Sequence, residues 1–350
     1  MWVRRSWDGQ SGPLGRLMIG LLVPTEIFYR GAVALRNRMY DRGFLSQSES
    51  GIPVISVGNL AVGGTGKTPV ASWLLAHLTT MGHRPALVTR GYGSDEILLY
   101  KVRNPGVSVV ARKSKIKGVA QAEREGAEVA VLDDGFQHRS AKRDVDIVLL
   151  AAEQGTSGPL LPRGRFREPM SALSRADAIV VTRKVATEEE ARAVGRTAID
   201  RAPGAVLGQI HLGGDAWTAL EGDLEAEAYS GPPAGDLLAV SSIAEPDTFH
   251  EMVRSRASGV VEGMAFPDHH PFSHKDVHRI VERAAGRSVV ITEKDAVKLR
   301  SFSQELLGTY VLRLQVAWDF GQDAVMELVR RALEGNRRTL EGNGISDKNA

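Results

Sequence analysis

Ile52-Pro-Val-Ile-Ser-Val-Gly-Asn-Leu-Ala-Val-Gly63-Gly64-Thr65-Gly66-Lys67-Thr68-Pro-Val-Ala is the stretch that decides the fold. Ile52–Val57 is a short apolar, β-rich run and Gly58–Gly66 a glycine-rich loop. Thr68–Leu78 has helical spacing, with Val70, Trp73, Leu74 and Leu78 on one face. Strand, glycine loop and helix in that order predict a phosphate cradle. Glycines let backbone N–H groups converge on an anion with no Cβ in the way, and the helix N-terminus adds its dipole. Gly63, Gly64, Thr65 and Gly66 then wrap the phosphates of a nucleotide. Lys67 reaches the terminal ones, and the Thr68 hydroxyl ligates Mg²⁺. The general pattern Gly-x-x-x-x-Gly-Lys-Ser/Thr asks for glycine at 61, where the chain has Ala61.

A phosphate loop needs a metal-side carboxylate at the end of a neighbouring strand. Val129-Ala-Val-Leu-Asp133-Asp134 supplies one: the apolar residues bury in a sheet, and the acids emerge at its carboxyl edge, where ligands bind. Mg²⁺ takes oxygen ligands and keeps waters, so one carboxylate usually suffices and the second has room for another role. Further buried-strand candidates are Ala86–Thr89, Val107–Val110, Ile147–Leu150 and Ile179–Thr182, with Lys117–Glu125 among the crossover helices. Thr187–Arg201 reads as an exposed helix, and Val206–Leu212 and Trp217–Leu220 as two short strands. A second strand–helix series starts at Leu237 and ends with Tyr310–Val316. The predicted fold is α/β: a P-loop NTPase-like parallel sheet over residues 51–212 and a second, smaller α/β domain over 213–335. An N-terminal helical segment, 1–50, precedes them, and a polar, disordered tail, 336–350, follows.

The chain has 350 residues, 43% hydrophobic and 25% charged, which is ample for a buried core and excludes disorder as the main state. Cysteine is absent, which excludes a disulfide scaffold and thiolate metal clusters and fits a reducing compartment. A net charge of +2 is too small to argue for nucleic acid, and no obligate protein partner is evident. Residues 1–42 nevertheless carry seven arginines against three acids, around the apolar run Leu17–Val23. A spanning helix needs about 20 apolar residues, and no small-residue cleavage site follows the run cleanly. Two readings stay open for this segment: a helix packed on its own domain, or one lying on an anionic bilayer surface.

Nucleotide binding leaves two function classes. One is a phosphotransferase acting on a separate hydroxyl; the other is a membrane-associated switch ATPase of the partition type. The switch ATPases carry a second lysine in the loop, and that position here is Val62. The Asn-Lys-x-Asp signature of GTPases is missing from the sequence.

Several strings together resemble the tetraacyldisaccharide 4′-kinase family, the lipid A kinases of Gram-negative bacteria. They are Val57–Pro69, Arg90-Gly-Tyr-Gly93, Asp133-Asp-Gly-Phe-Gln-His-Arg139, Arg143–Leu150, Leu161-Pro-Arg-Gly-Arg-Phe-Arg-Glu-Pro169, Phe266-Pro-Asp-His269 and Thr292-Glu-Lys-Asp295. They run in family order over about residues 15–330, and family P-loops also lack the first glycine. The resemblance implies transfer of the γ-phosphate of ATP to the 4′-hydroxyl of tetraacyldisaccharide 1-phosphate, giving lipid IVA, with Mg²⁺. It also implies peripheral or monotopic residence at the cytoplasmic face of the inner membrane, through the N-terminal segment.

Residue roles follow from the same resemblance. The family base is an Asp in a Gly-Asp-Glu-Pro string, helped by a histidine of the second domain. The matching residues are Asp95, within Ser94-Asp95-Glu96-Ile97, and His269. Glu96 is then a supporting carboxylate. His270 is the alternative histidine, and with His274 it leaves a metal site as a further reading, although zinc usually needs three or four groups. Arg90, Tyr92, Gln137 and His138 are expected to line the site. Arg167 is expected to neutralise phosphate charge, with Glu168 holding that arginine or the metal shell. Glu293, Lys294 and Asp295 read as structural. The chain departs from the family at Lys115, where arginine is frequent, at Ala151, where Asp is frequent, and at Glu245, where an amide is usual.

Overall fold

The computed structural model describes residue 7 and residues 12–91, 94–220 and 231–346. Two helices come first, α1 (Gly12–Leu21) and α2 (Val23–Asp41). Pro24 sits in the first turn of α2, where its missing N–H would have had no intrahelical partner. β1 (Val54–Asn59) leads through the glycine loop into α3 (Lys67–Thr80). Then come β2 (Pro85–Thr89), α4 (Ser94–Arg103), β3 (Ser108–Ala111), α5 (Lys115–Arg124), β4 (Val129–Asp133), β5 (Val145–Ala151), β6 (Ala178–Arg183), α6 (Glu188–Ile199) and β7 (Val206–Ala219). The second half holds β8 (Leu237–Ser241), α7 (Pro246–Arg254), β9 (Val261–Ala265), α8 (His274–Ala284), β10 (Ser288–Thr292), α9 (Glu293–Leu299), β11 (Thr309–Phe320) and α10 (Gln322–Ser346).

The strands form one sheet in the order β3-β2-β4-β1-β5-β6-β7-β11-β10-β8-β9. Neighbours are parallel throughout, except β7 with β11, which run antiparallel. β1, β2, β4, β5 and β8 are buried along their whole length, as strands covered on both faces must be. β7 and β11 make a long ribbon with register shifts at Arg313/Gln315 and Trp318/Phe320, and such irregularities increase twist. The carboxyl ends of strands on both sides of this ribbon open on the same cleft.

Three features differ from the sequence reading. Val206–Leu212 and Trp217–Leu220 are not two strands but parts of one strand of 14 residues, and the expected boundary at 212/213 falls inside it. Val325, Met326, Val329 and Leu333 of α10 share a core cluster with Leu74, Leu75 and Leu78 of α3, so the last helix returns to the first half. Burial of each leucine contributes about 1.5–3 kcal/mol. Residues 336–346, expected to be disordered, continue α10 as helix, because propagation is favourable once packing has nucleated a helix; 347–350 lie outside the described residues.

Candidate active site

The glycine loop is held from below and from across the sheet. Gly66, with φ +82°, caps α3, and a Cβ there would stand 2.3 Å from Leu212 Cδ1. Asn59 at the end of β1 donates to Thr65 Oγ1 (2.6 Å), and Thr182 at the end of β6 donates to the Thr65 carbonyl (3.2 Å). The Lys184 ammonium donates to the Gly64 carbonyl. Glu245, from the loop before α7, accepts from Gln154 (2.7 Å) and lies 3.8 Å from Lys184. Gly63, at φ +126°, leaves room for this carboxylate, since a Cβ there would meet Glu245 Oε1 at 2.7 Å. The loop before α7 therefore rests on the glycine loop.

Asp133 ends β4, buried, with Thr89 Oγ1 donating to it (3.3 Å). Burial pushes its carboxyl up against the pull of Lys115 and Lys67. Asp134 follows with φ +54°. It lies 3.5 Å from Lys67 Nζ and accepts from Arg167 Nη1 at 2.6 Å. Burial would raise its carboxyl, but the two cations outweigh burial and hold it at about 2. Its Oδ1 is buried without a hydrogen-bond donor. Gln137 donates to the Asn59 carbonyl (2.8 Å) and accepts from Arg167 (3.3 Å). Burial, helped by Lys115, lowers the His138 imidazole. Lys115 is only 3% exposed and donates to the carbonyls of Val88 (2.9 Å) and Asp133 (2.6 Å). Burial lowers its ammonium to about 8, partly offset by Asp133 and Asp134.

Asp95 lies in the first turn of α4, where acidic residues complement the helix dipole. Its Oδ2 stands 2.9 Å from His269 Nδ1. Burial works to raise the Asp95 carboxyl, and the His269 hydrogen bond with the His269 and Lys298 charges holds it below the usual range. His269, at φ +58°, donates its N–H to the Ser242 carbonyl (3.1 Å). His270 turns instead to Asp276 (3.1 Å) and stacks on Phe266, while His274 meets Glu305 (3.2 Å). The geometry selects His269 among the three. Among the described residues, no group of three or more metal-ligating side chains gathers there.

One cleft of about 910 Å³ is lined by the glycine loop, Arg90, Glu96, Lys115, Asp133, Asp134, Gln137, His138, Arg167, Lys184, Glu245 and His269; Asp95, bonded to His269, is not itself among the lining residues. Glu96 pairs there with Lys294 (3.0 Å). Tyr92 lies outside the described residues. Glu168 bonds to other groups than the neighbouring Arg167. It is buried away from the cleft, accepting from Asn37 of α2 (2.7 Å) and from Arg175 (3.0 Å). Lys184 was missed; its place just past the carboxyl end of β6 is the signal that could have found it.

Sheet order and glycine loop together place the chain among P-loop nucleotide-binding α/β proteins. The tetraacyldisaccharide-1-P 4′-kinase family description matches residues 18–334, and the chain belongs to that family of kinases. It is 38% identical over 326 residues to the tetraacyldisaccharide 4′-kinase of Anaeromyxobacter dehalogenans (strain 2CP-C), covering 84% of each chain. It is 33% identical over 350 residues to that of Chlorobium luteolum, covering 89% of this chain and 96% of the relative. Among solved structures it resembles LpxK from Aquifex aeolicus in complex with ATP. That match has a TM-score of 0.71 at 27% identity and covers 90% of this chain and 99% of the other.

Proposed function

We propose that the chain transfers the γ-phosphate of ATP to the 4′-hydroxyl of tetraacyldisaccharide 1-phosphate, giving ADP and lipid IVA. The observation that carries this reading is that His269, which bonds Asp95, and Glu96, the next residue of the chain, line the same cleft as the glycine loop, in a chain of this family. In this reading the amides of Gly63–Gly66 and the Lys67 ammonium hold the β- and γ-phosphates. Asp95 accepts the proton of the 4′-hydroxyl as its oxygen bonds to the γ-phosphorus and the bond to the bridging oxygen of ADP breaks. His269 keeps Asp95 oriented and ionised. Arg167 and Arg90 offset the charge of the phosphates, and a planar fork suits that task. Gln137 and His138 shape the wall beside them, and Glu96 with Lys294 the wall beside Asp95.

Thr68, Asp133 and Asp134 suit Mg²⁺, being hard oxygen donors, and Asp134 Oδ1, buried with no hydrogen bond and 3.5 Å from the Lys67 ammonium, is a ready ligand atom. When bound, the ion would neutralise charge on the phosphates. Asp134, held at about 2, is ionised throughout the neutral range and needs no deprotonation to receive it.

The same reading places the enzyme on the cytoplasmic face of the bacterial inner membrane. Leu17, Leu21, Ile27, Phe28, Leu35 and Phe44 are exposed, Phe28 by 81% and Phe44 by 74%, beside the arginines of α2. No described helix is long and apolar enough to cross a membrane. Such a face suits a helix pair lying on anionic lipid. The test is transfer from γ-labelled ATP to the lipid with Mg²⁺. Label in the lipid is expected, whereas hydrolysis of ATP with unlabelled lipid is the behaviour of a switch ATPase and would refute the assignment.

A further inference from the structure

We propose that Glu293-Lys294-Asp295 is the hub that sets the Asp95–His269 distance, each residue gripping a different support of that pair. This rests on the reading of Asp95 as the proton acceptor. The two partners are 174 residues apart in sequence, so no local chain geometry fixes their spacing. Three consecutive side chains do.

Glu293 takes both Nε (3.0 Å) and Nη2 of Arg103, the last residue of α4. The same guanidinium donates to the Leu314 carbonyl (2.9 Å), and the Leu314 N–H donates to Glu293 (3.1 Å), which closes the fork on β11. Lys294 donates to Glu96 (3.0 Å), the neighbour of Asp95 in the first turn of α4. Adjacent residues thus grip the two ends of the helix that carries Asp95. Asp295, fully buried, takes the other partner: it accepts the N–H (2.9 Å) and the hydroxyl of Ser242, whose carbonyl accepts from the His269 N–H (3.1 Å). Thr292 locks the hub itself, since its hydroxyl and the Asp295 carboxylate and N–H bond reciprocally at the start of α9 (2.7 and 3.1 Å).

Charge-assisted bonds of this kind are directional as well as strong, so they fix position. The three are positioning residues: each acts through α4 or through the Ser242 strut. The residues Glu293, Lys294 and Asp295, read from the sequence as structural, acquire a role in the reaction.

The test places Lys294→Met and Arg103→Met in the full chain, each alone and in an Asp95→Ala background. Turnover number, ATP KM, pH profile and melting temperature are read. Each single variant should lower kcat by about 10–100-fold, the effect of a displacement near 1 Å. ATP KM should stay within about twofold, and the acid limb of the profile should move to higher pH. Lys294→Arg should recover most of the loss. In the Asp95→Ala background the further loss should be under about twofold, because groups that act as one unit are non-additive. Multiplied losses in that background, or an unmoved acid limb, would overturn the hub. Should Arg103→Met fail to fold, the part-exposed Lys294 carries the same comparison. Wild-type turnover in Asp95→Ala alone would overturn the proton-acceptor reading instead, a different result from either.

Discussion

Removing His269 is the perturbation whose size the structure best defines. Its Nδ1 stands 2.9 Å from Asp95 Oδ2, and that contact helps hold the buried carboxylate ionised. A hydrogen bond to a charged group contributes about 1.5–3 kcal/mol. The His269 side chain is 47% exposed, so solvent screens the pair and the lower end applies. About 1.5 kcal/mol is roughly a tenfold loss of turnover for His269→Ala at neutral pH. Asp95→Ala removes the proton acceptor altogether and should cost about 10²–10⁴-fold.

The sign of the pH effect follows from the direction of the shift. Asp95 is held below the usual carboxylate range by His269, so loss of the imidazole raises it and moves the acid limb of kcat to higher pH. The assay is lipid phosphorylation across that limb for both single variants and the double. The double variant should match Asp95→Ala, with ATP KM changed little in all three. Losses that multiply, or an acid limb that stays put in His269→Ala, would refute the coupling.

Lys67→Ala and Thr68→Ala should each abolish transfer while leaving the melting temperature near that of the parent, since both act on phosphate charge or its metal; wild-type turnover in either variant with Mg²⁺ sinks the P-loop assignment. Lys115 is lowered by burial from 10.5 to about 8. Between those values the unfolded chain binds more protons than the folded one, so stability rises with pH, by about 3 kcal/mol over the window. Urea unfolding without nucleotide should show this slope and Lys115→Met should lack it; an equal slope in both would be the contrary result. Ile27→Asp with Phe28→Asp should weaken sedimentation with anionic vesicles while ATP affinity holds, and unaltered sedimentation would move the lipid contact elsewhere.

Much of the sheet was legible because its central strands are continuous apolar runs, buried on both faces, and the glycine loop and Asp133-Asp134 end two of them. The misreadings have local causes. Val206–Leu212 and Trp217–Leu220 read as two strands, yet pairing with β11 resumes on both sides of a register shift at Gly213–Ala216, so one strand runs across the interruption. Asp95 and Glu96 open α4 and Lys101 and Arg103 close it, a charge pattern that marks a helix and was legible in the sequence. Glu168 adjoins Arg167 in sequence, but the chain bends at both residues and their side chains find different partners. Arg167 faces the carboxylate pair, and Glu168 faces Asn37 and Arg175.

The two readings of the N-terminal segment are not alternatives. One side of α2 is bonded to the core: Glu26 accepts from the Leu160 N–H (3.0 Å) and Arg163 (3.0 Å), Tyr29 donates to the Arg167 carbonyl (3.0 Å), and Arg36 donates to the Gln137 carbonyl. The other side carries Ile27, Phe28 and Leu35, exposed. The helix proposed to meet the lipid surface therefore holds the backbone of the residues that flank Asp134. A truncation through α2 would remove both at once, and lost turnover in it would say nothing about lipid contact. Substitutions confined to the exposed side separate them, because they leave the bonds to Arg167, Gln137 and Glu168 in place.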